Sequence, residues 1–190
     1  MGTLKTTNIQ SISGSGTVTL GTSGETFALG TGVLSSGLAF DTLSETTASS
    51  SDSVAFSLSA SYKHFMILME NVIPASDQQH YYLTVSTDSG SSYASASYNF
   101  TVKGFEDDDG EDFYGANGQS SIQLTRYQVG SDTGEFGVSG VMYLGGVRTN
   151  TAVNKGGVFM SASETYTNKL NGNYASFQYA GATSAWTNIK

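Results

Sequence analysis

Apolar residues recur at alternate positions along much of this chain, and no stretch keeps a 3.6-residue apolar period for more than about two turns. Val54, Phe56 and Leu58 alternate with Ala55, Ser57 and Ser59, the pattern of a strand with one face on a core. Residues 62–74, YKHFMILMENVIP, are apolar on both faces from Phe65 to Met69, which predicts a central strand that ends at Pro74. Tyr81 to Val85 predicts the next strand, then a tight turn at STDSG, residues 86–90, and a strand from Tyr93 to Val102. Ile122, Leu124 and Arg126 open another, with Gln123, Thr125 and Tyr127 on its second face. Val138 to Val147 follows, with Gly134, Gly137 and Gly140 permitting bulges or close backbone approach. Short strands at 158–161, 165–167 and 174–179 complete the series, and the Asn-Gly pairs at 117–118 and 171–172 read as hairpin turns.

The layer arrangement that suits this pattern is an all-β, jelly-roll-like antiparallel β-sandwich. Its expected extent is residues 51–190, behind an extended N-terminal arm at residues 1–50. In the arm, Leu4, Ile9 and Ile12 stand apart among polar residues and glycine, too sparse to bury much on their own. They are therefore the candidate attachment residues, for which a partner surface would supply the missing contacts. From Ser44 to Ser53 the chain is almost entirely Ser, Thr, Asp, Glu and Ala, the composition of a linker.

Composition narrows the function classes. With 23 glycines, one proline and no cysteine, the fold must be held by packing and backbone pairing. Hydrophobic residues are 38% and charged residues only 13%, so a core can form beneath a neutral, hydroxyl-rich surface. A net charge of −8 with no Lys/Arg cluster argues against nucleic acid as a partner. The Phe65–Met69 run is far too short to cross a bilayer, and no continuous apolar stretch follows Met1, so neither a membrane partner nor a secretory signal is expected.

Chemistry-bearing residues are few. His64 and His80 lie sixteen residues apart in a chain without cysteine, and structural roles suit them better than metal ligation. Residues 104–118, GFEDDDGEDFYGANG, read as an acidic loop punctuated by glycine. Such a cluster repels itself unless it is solvated, meets a basic partner or holds a hard cation. Calcium is the candidate, with Asp107, Asp109, Glu111 and Asp112 as ligands. The register is not that of an EF-hand, because Phe105 stands five residues before Gly110. Phe113 and Tyr114, at the end of this loop, are the candidate surface-recognition residues for a glycan or receptor, although packing explains most of the other aromatics. A glycosidase would need two acids on separate elements, and Glu70 alone lies at the end of a predicted strand. No G-x-S-x-G elbow occurs in a strand-turn-helix context. The expectation is a protein without catalytic residues or a required cofactor.

Two segments go beyond a generic β pattern. Tyr62, Phe65, Ile67, Asn71, Val72 and Pro74, followed by Leu83, Ser86, Thr87, Asp88, Gly90 and Tyr93, resemble a motif of tailed-bacteriophage virion proteins. The later GEFGVSGVMYL, residues 134–144, looks like the second half of that pattern, and the opening TLKTTNIQS resembles the virion-proximal end of marine and cyanobacterial phage appendages. The resemblance implies a structural virion protein on the particle surface: a head fibre, capsid decoration or tail appendage. It would be held to capsid or tail subunits by its arm and be homo-oligomeric, with a trimer favoured. A host receptor- or carbohydrate-binding module and a polysaccharide depolymerase are the alternatives. Relatives continue past the point where this chain reads Trp186-Thr187-Asn188-Ile189-Lys190, which predicts an open final edge to be closed by a missing strand or another chain.

Overall fold

The structure is a computed structural model and describes residues 41–107, 110–151 and 153–190. The arm's attachment candidates Leu4, Ile9 and Ile12, and the calcium candidate Asp109, lie outside the described residues. Leu43–Lys190 form one compact unit. Among the described residues its regular elements are eleven strands in three antiparallel sheets.

The largest sheet has six strands. They are β2 (Phe65–Val72), β5 (Tyr98–Glu106), β6 (Gly110–Gln119), β8 (Val138–Gly145), β9 (Lys155–Glu164) and β10 (Leu170–Tyr179), in the spatial order β2-β8-β9-β10-β5-β6. A three-stranded sheet has the order β1-β11-β4, from Phe56–Ser57, Asn188–Ile189 and Val85–Ser86, and β3 (Tyr82–Leu83) pairs with β7 (Ile122–Gln123). One hydrophobic cluster draws on all three: Tyr98, Phe100, Phe159 and Phe177 from the large sheet, Val85 and Ile189 from the second, Leu83 and Ile122 from the third. Period-two alternation places these side chains on one face of each strand, and their burial is the main force holding the sheets together.

Several expectations need correcting. The segment expected at the centre of a sheet, β2, is an edge strand that pairs with β8 alone. It is apolar on both faces because Phe65, Ile67 and Met69 pack against the core while Met66 and Leu68 point the other way, where Leu68 is 71% exposed. The acidic stretch expected as a loop is mostly a hairpin, β5 and β6, in register from Glu106↔Gly110 to Phe100↔Ala116. Asn117-Gly118 is not its turn but a bulge within β6, opposite Asn99, whose Oδ1 accepts the Gly118 N–H at 2.9 Å. Asn171-Gly172 lies inside β10, and the β9–β10 turn is formed at Thr165–Lys169. The short strands expected at 158–161 and 174–179 each run for ten residues, because small residues such as Gly156, Gly157 and Ala175 let strands meet closely without interrupting the ladder. The predicted open final edge is also absent, since β11 lies between β1 and β4 and Lys190 exchanges two 2.9 Å backbone hydrogen bonds with Thr84.

The motif residues turn out to shape the backbone. Asn71 sits at the β2 bulge with φ 46°, and its Oδ1 accepts the Gly137 N–H at 2.9 Å. A side chain at 137 would lie 2.2 Å from the Val72 carbonyl oxygen, so this crossing requires glycine. Asp88 organises the STDSG turn by accepting from the Ser86 and Ser92 hydroxyls, both at 2.6 Å, and these bonds hold its carboxyl down at about 2.

Two phenols make the core sensitive to alkali. Tyr98 Oη accepts the Val85 N–H at 2.8 Å and lies 3.1 Å from the Ala94 carbonyl, to which it donates, while Tyr81 donates to the Val72 carbonyl at 2.7 Å. Burial pushes both hydroxyls up to about 12. Their folded values exceed the unfolded value of 10, so their contribution to stability is complete below pH 10 and is lost as the pH rises toward 12. Thermal unfolding followed from about pH 8 to pH 11.5 should therefore show a midpoint that falls steeply above pH 10, less steeply in Tyr98→Phe. A flat profile in that range would contradict this assignment.

Candidate functional site

The β5–β6 hairpin brings together most of the candidate residues and divides them between two faces. On the face away from the core, Lys103 Nζ pairs with Glu111 and lies 4.6 Å from the ring centroids of both Phe105 and Phe113. On the core side, Arg126 pairs with Asp112 and lies 6.0 Å from the Tyr114 ring and 5.8 Å from the Tyr127 ring. Gly104 makes this second cluster geometrically feasible, because a Cβ there would meet the Tyr127 ring at 2.6 Å and Arg126 Cβ at 2.7 Å. Tyr114 also packs edge-on against Phe100 at 5.6 Å.

Phe113 and Tyr114, paired as one recognition element in the sequence reading, thus belong to opposite faces of β6. Phe113 is 63% exposed; Tyr114 is 41% exposed and half committed to packing. Glu111 and Asp112 likewise point to opposite sides, each toward its own cation. Strand geometry separates these neighbours by construction. Among the described residues no three His, Cys, Asp or Glu side chains come together as a metal ion would need.

Neither histidine joins this cluster as a ligand. His64 is exposed just before β2, and its Nδ1 accepts the Gly146 N–H at 3.2 Å. His80 Nδ1 lies 3.1 Å from the Thr125 carbonyl oxygen, and burial, with Arg126 adding to it, keeps the ring below its usual value and neutral near pH 7. Beside it a hollow of about 330 Å³ is bordered by Glu106, Arg126, Tyr127, Tyr166 and Lys169. Hydrogen-bonding groups of both charges line it, an arrangement suited to holding a polar group in place.

The third feature is the outer face of the whole six-stranded sheet, which sequence reasoning missed. The ladder registers align Leu68, Val141, Met160, Tyr174, Lys103 and Phe113 in one row across all six strands. A flanking row reads Met66, Tyr143, Val158, Ser176, Thr101 and Gly115. From β2 to β10 these two rows contain no charge, and Leu68, Tyr143, Met160, Tyr174 and Phe113 are all exposed. The one available signal is the both-faced apolarity of Phe65–Met69, which in the sequence reads equally as burial within a sheet. Compared with family models, with curated proteins and with solved structures, the chain matches none.

Proposed function

We propose that this chain is a non-enzymatic structural protein of a virion, a tailed-phage head fibre, capsid decoration or tail appendage displayed on the particle surface. Residues 1–50 attach it to capsid or tail subunits, and repeated weak contacts across a homo-oligomer, with a trimer favoured, sum to firm attachment. The supporting observation is the outer face of the six-stranded sheet, a broad exposed surface with apolar rows and little charge. Such faces fit contact with other proteins, whereas two of the hairpin acids, Glu111 and Asp112, are each engaged by a cation. The fold reading that accompanies the proposal is a jelly-roll-like sandwich, with the six-stranded sheet as one layer and the two small sheets as the other. The core cluster shared by the three sheets supports two layers. The β8-β9-β10 meander departs from a strict jelly roll, in which consecutive strands alternate between layers.

The test is a reconstruction of the intact particle in which the chain is placed in density. The expected result has residues 1–50 against capsid or tail subunits and residues 51–190 contributing to the exterior. A chain found beneath the shell would sink the display role. A second reading, a glycan- or receptor-binding module, is favoured by exposed Phe113 beside Lys103 and Phe105, a flat aromatic patch with a cation. Binding of the purified chain to host-surface polysaccharide, abolished by Phe113→Ala, would decide for it.

A further inference from the structure

We infer that the outer face of the six-stranded sheet is where one copy of this chain docks against a second copy. The proposal rests on the structural-protein reading above and names the occupant of that surface.

Size is the first argument. Six strands spaced about 4.8 Å apart and three outward positions per strand spaced about 6.8 Å give a footprint of roughly 600 Å². The two uncharged rows from β2 to β10 make up about 260 Å² of that footprint, near the lower end for the largest apolar patch on a typical monomer, about 300–600 Å². The accessible area of the whole footprint, increased by projecting side chains such as Leu68, Met160, Tyr174 and Phe113, approaches the roughly 800 Å² that each partner contributes to a stable interface. Sheets also pack face to face readily, at about 10 Å separation.

Charge identifies the partner. A chain of net charge −8 repels its own copies over most of its surface, and association requires a face where that repulsion is absent. The outer face meets this condition: Lys103 and Glu111 neutralise one another at its β5–β6 end, and Glu70 lies at its β2 margin. In the β2–β9 half these two rows are apolar, with Met66, Leu68, Val141, Val158 and Met160 around the Tyr143 phenol, a lining that suits another protein face. The usual protection against unwanted sheet contacts, charges pointing from the exposed strands, is confined here to the margins, at Glu70 and the Lys103–Glu111 pair.

The experiment uses the full chain. Sedimentation of the wild type should show a concentration-dependent oligomer with a midpoint at or below about 10 μM. Leu68→Lys combined with Met160→Lys, at exposed positions where the fold tolerates charge, should weaken association at least about tenfold with an unchanged circular dichroism spectrum. A wild type that remains monomeric at about 100 μM, or a folded double variant that associates as tightly as the wild type, overturns the proposal. A second measurement uses the absence of native cysteine: the thiol of Met160→Cys should react more slowly above the association midpoint than below it. Protection independent of concentration would mean that the chain's own residues cover the face, and would also overturn the proposal. Failure of self-association leaves the particle reconstruction as the separate test of virion attachment.

Discussion

Trp186→Ala is expected to destabilise the compact unit by about 3–5 kcal/mol, the range for deleting a large aromatic from a packed core. Trp186 is fully buried and is the largest such side chain in the described structure. It precedes a strand of only two residues, Asn188–Ile189, whose position between β1 and β4 depends on that anchor. The Trp186 backbone N–H donates to the Val147 carbonyl at 2.8 Å and the Trp186 carbonyl accepts from Arg148 at 2.9 Å; alanine keeps both backbone groups, so the expected loss is that of the indole's packing. Because a domain of this size has only about 5–15 kcal/mol of net stability, the loss should move the urea midpoint far enough to see by circular dichroism. Trp186→Phe provides the control. It leaves a smaller void and removes a buried indole N–H that has no acceptor, so its cost should be well below that of alanine. Equal losses in the two variants would show that the indole's packing does not anchor the segment.

The same terminal segment shows where sequence reading succeeds and where it stops. Alternation at Val138–Leu144 and in Phe100–Val102 was legible because one face of each strand meets the core and the other does not. Asn188-Ile189 was not, since two residues contain no period, and their strand exists only through partners about 100 and 130 residues away, Val85-Ser86 and Phe56-Ser57. The acidic hairpin misled for a different reason. Charge and glycine usually mark loops, yet here Lys103 and Arg126, the one an earlier ladder neighbour and the other fourteen residues on, neutralise Glu111 and Asp112 and allow the strand to form. Phe113 is exposed, but its relation to Tyr174 and Met160 depends on cross-strand register, which no local pattern encodes.

Lys155→Met is the second large effect expected. Lys155 opens β9 and is 2% exposed, and its Nζ donates to the carbonyls of Thr151, Val153 and Thr183. An ammonium has three donors, and here each finds a backbone oxygen from the segments that precede β9 and follow β10. Burial lowers the Lys155 pKa, so two costs oppose each other in the variant. Methionine removes the desolvation penalty of the charge, a gain, but leaves carbonyls turned toward an apolar side chain, a loss of about 1–3 kcal/mol for each one that water cannot reach. Thr151, Val153 and Thr183 are themselves exposed, so water recovers part of the loss, and the net destabilisation should be about 1–2 kcal/mol by urea unfolding. The pH dependence separates the terms. A lysine with a lowered folded pKa makes the native state bind fewer protons than the unfolded chain, so its contribution improves as the pH rises through the folded value toward 10.5. That rise should be present in the wild type below the alkaline loss caused by Tyr81 and Tyr98, and absent in Lys155→Met. A methionine variant as stable as the wild type would mean that packing alone positions these segments and that the ammonium is not their clamp.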